Sequence, residues 1–234
     1  MADNDFDIDG LAKYLHLSRQ QVEKLVSRGD LPGRRVGGQW RFNGADIHHW
    51  MENRMGLLEE QELAHVENAL AKSDAQPVDE KLLRDSLTVD TIAVPLVART
   101  KNAVIEAMCQ LAANTGMLWD PEKMADAVRA REQLQSTAMD NGVALMHSRR
   151  PMASILGEPV LAIGVTSTGI PFGGSRSLTD IFFLICSVDD RGHLRTLARL
   201  SRILSAETVV DALRDAEDAA AVFEVISTAE SVLF

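Results

Sequence analysis

Apolar positions recur at helical spacing in some stretches of the chain and run together in others, and the two patterns divide it. Between Gly10 and Leu17, Leu11 and Leu15 stand four apart and predict a short helix. Ser18 opens a second helix. With Gln21 three residues on it makes a capping box, Val22, Leu25 and Val26 form a buried stripe, and Gly29 is placed as the C′ residue that ends it. Two short helices meeting at Leu17-Ser18 are a helix-turn-helix pattern. Leu31-Pro32-Gly33 interrupts the chain, and Arg34 to Phe42 reads as a small β-hairpin turning at Gly37-Gly38. A third helix is expected over Asp46 to Met55, with Ile47, Trp50 and Met51 facing inward.

Residues 57–85 read as a helical acidic linker. Leu63, Val66 and Leu70 fit one face of a helix, and Ser73 to Pro77 a break. The stripe either pairs with a second copy as a short coiled coil or packs on one of the flanking domains. From Leu87 onward strand and helix alternate. Val104, Ile105, Met108, Leu111 and Ala112 have helical spacing within Thr100 to Thr115, and Gly116 stops that helix. Asp120-Pro121, an N-cap followed by an N1 proline, opens another helix to about Gln133. Apolar runs at Val143–Met146, Val160–Thr166 and Asp180–Val188 predict strands, and helices return at His193–Leu204, Ser205–Asp215 and Asp218–Ala229. Helices before and after the strands predict an α/β sandwich with a mixed sheet and helices on both faces.

Composition changes this picture in three places. The 234 residues, 46% of them hydrophobic, suffice for two domains with ordinary cores. The net charge of −10 is uneven: residues 1–56 carry eight basic and eight acidic side chains, residues 57–85 three against eight, and residues 86–234 thirteen against eighteen. Residues 13–41 hold seven Lys or Arg and only Glu23 and Asp30, a local basic face that suits nucleic-acid phosphate better than the acidic whole does. Cys109 and Cys186 lie in apolar segments and read as reduced core thiols, with no disulfide framework or zinc spacing; no metal or cofactor is expected. The N-terminus is acidic and lacks an apolar core, and no apolar run approaches a bilayer's thickness, so a cytoplasmic protein without a membrane partner is expected.

The candidate chemistry centres on Asp140-Asn141-Gly142-Val143-Ala144-Leu145-Met146-His147-Ser148-Arg149-Arg150. A short apolar strand leaves a Gly turn and delivers His147 to its end, where the imidazole is expected to face solvent on a fixed backbone. Arg149 and Arg150 just beyond suit an anionic partner such as a phosphoryl group. His16, His48, His49 and His65 lie on predicted helices without metal spacing and read as surface residues.

The segment from Leu11 to Trp50, with Gly29, Pro32, the Gly-Gly-Gln-Trp-Arg-Phe wing and Trp50 in order, resembles the excisionase and MerR type of winged helix-turn-helix domain. The resemblance implies a mainly α winged helix-turn-helix DNA-binding domain over residues 1–56, its second helix in the major groove and its wing against the backbone or minor groove. Arg19, Gln20 and Lys24 are the exposed polar positions of that helix, and Arg34, Arg35, Gln39 and Arg41 would position the wing. The other reading is a small helical domain whose surface charges serve protein contact. A homodimer would suit an operator with two half-sites.

Residues 86–234 resemble the EIIA domain of the fructose, mannitol and nitrogen-regulatory class of the bacterial phosphotransferase system. Arg131-Glu132, Ser136-Thr137, Asn141-Gly142-Val143-Ala144 leading to His147, and His193-Leu194 carry the likeness. It implies that His147 accepts a phosphoryl group from an HPr-like phosphocarrier protein and that His193 completes the site. Ser136, Thr137 and backbone N–H groups would donate to the phosphate, with Arg149 as the cation. The chain has Ala138, Met146 and Ser148 where the family usually has Gly, Pro and Gly, and a side chain in place of Gly blocks close approach or shifts a turn. The expectation is a bacterial DNA-binding transcriptional regulator whose EIIA-like domain is phosphorylated on a histidine. The alternatives are a phosphocarrier protein of the nitrogen-regulatory kind, hence a phosphohistidine phosphotransferase component, and an EIIA-like interaction module that carries no phosphate.

Overall fold

The computed structural model describes residues 5–15, 17–55, 82–173 and 177–233. The chain divides into two compact units, residues 1–77 and 78–234. The linker pattern of Leu63, Val66 and Leu70, the break from Ser73 to Pro77, and residues His16 and His65 lie outside the described residues, as does the side chain of His48.

In the first unit, α1 (Ile8–Tyr14) starts at Asp7, whose carboxylate accepts the Gly10 N–H at 2.7 Å. α2 (Arg19–Arg28) has the predicted capping box: Ser18 Oγ accepts from Gln21 N–H, and Gln21 Oε1 accepts from Ser18 N–H at 2.7 Å. It ends at Gly29 in the left-handed region (φ +78°). β2 (Arg34–Val36) and β3 (Gln39–Asn43) pair antiparallel across Gly37 and Gly38, both at positive φ, the geometry of a tight hairpin turn. α3 (Gly44–Met55) follows. Leu11, Val22, Val26, Leu31, Phe42, Ile47 and Met51 are buried, whereas Leu25 and Trp50 are half-buried. His49, expected at the surface, is half-buried too. The short strand β1 (Asp5–Phe6), which pairs with β3, carries no pattern long enough to predict.

In the second unit a 3-10 turn (Leu83–Asp85) leads into β4 (Leu87–Ala93), α4 (Lys101–Ala113) and α5 (Pro121–Leu134). Then come β5 (Val143–His147), β6 (Val160–Ile170), β7 (Thr179–Cys186), α6 (Asp190–Ser205), α7 (Glu207–Arg214) and α8 (Ala219–Leu233). The sheet order is β4-β6-β7-β5, with β4 parallel to β6, β6 antiparallel to β7 and β5 parallel to β7. This is the expected mixed sheet. Ala144, Met146, Phe182, Leu184 and Cys186 join one core with α4 and α5. The alternate positions Val143, Leu145, Ile181, Phe183 and Ile185 are buried as well, and α6, α7 and α8 contact the same sheet. Cover on both faces explains why these strands are continuous apolar runs.

Burial pushes the Cys109 thiol up to about 12, with a smaller opposing pull from the Arg129 charge, and burial raises the Cys186 thiol as well. Both cysteines are free, buried thiols, as the sequence suggested.

The chain enters this domain over a buried ion pair. Arg199 on α6 and Glu230 on α8, each 3% exposed in its side chain, meet at 3.1 Å. Glu230 also accepts from the Leu83 N–H at 2.6 Å and the Arg84 N–H at 3.4 Å. Removing one member of such a pair strands the other charge in a dry site, which outweighs the modest net value of the intact pair. Glu230→Ala is therefore expected to lower the stability of the domain by about 3–5 kcal/mol, read by urea unfolding; a loss under about 1 kcal/mol would contradict the assignment.

Candidate functional site

β5 is aimed by the turn before it. Asn141 Nδ2 donates to Leu204 O at 3.1 Å, and the Asn141 carbonyl accepts from Arg214 Nη2 at 2.5 Å. Arg214 is in turn anchored by Asp180, its Nε donating to Oδ2 at 2.9 Å. Gly142 sits at φ +86°, and a Cβ there would lie 2.6 Å from Arg214 Nη2. Parallel pairing with β7 then runs in register from Val143↔Ile181 to His147↔Ile185. His147 shares its sheet face with Val143 and Leu145, since side chains alternate along a strand.

On that face His147 meets His193. The two rings have centroids 4.9 Å apart and planes inclined at 59°. His193 lies near the start of α6, whose N-cap Asp189 accepts the Gly192 N–H at 2.7 Å. Its Nδ1 is 3.1 Å from Ser187 Oγ. His147 Nδ1 is 2.9 Å from Leu145 O. A carbonyl only accepts, so Nδ1 carries the proton and the neutral ring has its lone pair on Nε2. The solvent-facing imidazole expected from the sequence is not what forms: His147 is 3% exposed and His193 2%. The strand does not end in open solvent. Ser148 and Ser187 beside the rings are buried, and Met152 N–H donates to Ser187 O at 3.0 Å, which closes the chain back over the site.

The other predicted residues divide. Ser136 and Thr137 run beside β5: Leu145 N–H donates to Thr137 O at 3.2 Å, and Met139 N–H to Val143 O at 2.8 Å. Thr137 directs its N–H, at 3.0 Å, and its hydroxyl to Glu132 Oε1, and Ser136 Oγ accepts from Ala138 N–H at 3.2 Å. Arg149 and Arg150 are exposed in the turn after β5. Arg131, by contrast, is 4% exposed, and its Nη1 donates to Gln135 O at 2.8 Å. Lys101 and Ser187 escaped the sequence reading of the site, and Glu132, named there only as part of the Arg131-Glu132 likeness, was given no role in it. Only the fold shows the Glu132 carboxylate turned inward.

The family profile for the phosphoenolpyruvate-dependent sugar phosphotransferase system, EIIA 2, matches residues 85–229. The chain belongs to this EIIA family. A helix-turn-helix domain profile matches residues 6–55. The fructose-specific EIIABC component of Bacillus subtilis (strain 168) is 27% identical over 148 residues, 62% of this chain but 23% of that protein's length. The nitrogen regulatory protein of Escherichia coli (strain K12) is 28% identical over 139 residues, covering 56% of this chain and 81% of that protein. The crystal structure of the nitrogen regulatory protein IIA-Ntr from Neisseria meningitidis shares the fold of the EIIA domain, with a TM-score of 0.56 and 20% identity over 62% of this chain and 99% of that one.

Ahead of the EIIA domain, the helix-turn-helix unit displays its predicted polar residues unevenly. Gln20 and Lys24 are exposed on α2. Arg19, also exposed, is engaged: Nη1 contacts both Asp9 carboxylate oxygens at 3.0 and 3.1 Å, and Nε donates to Glu23 at 3.0 Å. Exposed pairs of this kind are screened by solvent and stabilise little. Arg34 pairs with Asp5 at 2.8 Å, Arg35 lies 4.8 Å over the Trp40 ring, and Gln39 is exposed at the tip of the wing. Arg34 and Arg41, opposite each other in the β2–β3 ladder, line a cavity of about 400 Å³ with Pro32, Gly33, Asn43 and Asp46. No helix among the described residues is long and apolar enough to cross a membrane.

The close approach at Gly142 yields a test of how β5 is aimed. Gly142→Ala forces a left-handed alanine and pushes Arg214 off the Asn141 carbonyl, so a loss of at least about 1–2 kcal/mol is expected in urea unfolding. An unchanged midpoint would show that the turn does not depend on this contact.

Proposed function

We propose that this protein is a DNA-binding transcriptional regulator whose EIIA domain accepts a phosphoryl group on His147 from an HPr-like phosphocarrier, and that phosphorylation controls its occupancy of DNA. The observation that carries the reading is the contact of His147 with His193, 4.9 Å between ring centres, in a chain that also holds a helix-turn-helix domain. With Nδ1–H on the Leu145 carbonyl, Nε2 is the nucleophile. Its lone pair forms the new N–P bond as the donor's bond to phosphorus breaks and that electron pair stays with the donor. The proton stays on Nδ1, which goes on donating to the Leu145 carbonyl and so stabilises the ring as it gains a phosphoryl group.

His193 stands near the first turn of α6, where backbone N–H groups favour an anion. Its Ser187 contact orients the ring, and Arg149 supplies an exposed cation beyond the strand end. Ser136 and Thr137 sit alongside, Thr137 serving to hold the backbone. In the helix-turn-helix domain, Gln20 and Lys24 with Arg19 read the groove, and Arg34, Arg35, Gln39 and Arg41 grip the backbone through the wing. A homodimer would match two half-sites.

One observation favours a second reading, an interaction module without phosphate. His147 Nε2 has less than 1 Å² of its surface accessible, and Ser148 after it is buried, its hydroxyl donating to Arg150 O at 2.7 Å. Transfer requires the turn at Ser148 to move aside when the donor docks.

Incubation with phosphoenolpyruvate, enzyme I and HPr decides between the readings by intact mass. One added phosphate on the full chain, absent from His147→Ala, is expected, together with a DNA affinity that differs between the two states. No added mass on the folded protein would leave the interaction module.

A further inference from the structure

We propose that Glu132 is a positioning residue for His147, holding the Leu145 carbonyl in place through Thr137 so that the imidazole presents Nε2. This rests on the reading of His147 as the phosphoacceptor.

Glu132 lies in the last turn of α5 with 1% of its side chain exposed. A carboxylate that deep requires partners for both oxygens. Oε2 accepts from Lys101 Nζ at 2.8 Å, and Lys101 is itself fixed by the Phe172 carbonyl at 3.0 Å and by the Phe172 ring at 4.7 Å. Oε1 accepts both the N–H and the hydroxyl of Thr137. The carbonyl of Thr137 takes the Leu145 N–H at 3.2 Å, and the Leu145 carbonyl takes His147 Nδ1 at 2.9 Å. A continuous chain of hydrogen bonds thus runs from half-buried Lys101 through buried Glu132 to the imidazole.

The sheet makes that chain matter. β5 is an edge strand, and on its outer side it is met by the segment around Ala138, which bridges to Ala144. Without an anchor, a flanking segment of this length slips or peels, because so few ladder bonds hold it. Glu132 pins it at Thr137, level with Leu145. If Thr137 drifts, Leu145 loses the constraint on its outer edge, its carbonyl turns, and Nδ1 no longer has a fixed acceptor to select its proton. A neutral imidazole then populates both tautomers, and the nucleophilic lone pair is on Nε2 only part of the time.

Two double variants separate this role from the stability of the ion pair. Lys101→Met with Glu132→Gln removes both charges but keeps an amide oxygen to accept from Thr137. Lys101→Met with Glu132→Ala removes the charges and the acceptor together. In each, the tautomer of His147 is read in the unphosphorylated full chain from imidazole ¹⁵N shifts, and the phosphorylation rate with HPr from intact mass. The Gln double variant is expected to keep the Nδ1–H tautomer and a rate within about threefold of wild type, and the Ala double variant to show mixed tautomers and a rate at least about tenfold lower. Thr137→Val, which loses the hydroxyl and keeps the N–H, covers the case in which the Ala double variant fails to fold; it is expected to show a smaller shift of both readouts in the same direction. Wild-type tautomer in the Ala double variant, or in Thr137→Val if that variant does not fold, would overturn the proposal. The tautomer is measured without phosphate. A wild-type protein that takes no phosphate therefore defeats the phosphoacceptor reading, while the tautomer still decides whether Glu132 positions the ring.

Discussion

The hydrogen bond from His147 Nδ1 to the carbonyl of Leu145, 2.9 Å long, is the constraint on which the proposed chemistry of the EIIA domain depends. A carbonyl only accepts, so this contact places the proton on Nδ1 and the lone pair on Nε2, and the strand that carries it is held on both sides. On one side parallel pairing with β7 keeps His147 opposite Ile185. On the other, Thr137 bonds to Leu145 and is itself held by Glu132. At the start of the strand, Arg214 and Asp180 fix the turn around Asn141 and Gly142. Each contact acts on backbone, so the His147 side chain inherits its orientation from the sheet.

The helix-turn-helix unit is built on a different balance. Its core is small, and local devices stabilise the ends of its elements: the Asp7 cap, the Ser18 and Gln21 box and the positive-φ glycines at 29, 37 and 38. Arg19 and Arg34 are paired with carboxylates at the surface, where pairing stabilises little. Such a surface keeps its cations ordered yet available, which suits a polyanionic partner whose binding is driven by counterion release. The two units thus hold their charges differently. Arg19 and Arg34 are exposed and exchangeable, whereas Arg199, Glu230 and Glu132 are buried and fixed.

What was legible in the sequence was local. Ser18 with Gln21, Gly37-Gly38 and Asp120-Pro121 signal their caps and turns within a few residues, and each is where the pattern put it. The mixed sheet followed from uninterrupted apolar runs. The depth of the site did not follow: a histidine at a strand end reads as exposed until α6 and the turn at Ser148 are seen to close over it. The burial of Glu132 against Lys101 and the Arg199–Glu230 pair were missed for the same reason. Their partners are 31 residues away in each ion pair, and a charge is recognisable as buried only when the fold supplies its counterpart.

The most direct test of this account is the isomer of phosphohistidine formed in the full chain, read by ¹⁵N and ³¹P NMR after phosphorylation through HPr. The hydrogen bond to Leu145 predicts a single species with phosphorus on Nε2 of His147 and Nδ1 still protonated. Phosphorus on Nδ1 of His147, or on His193, would contradict it.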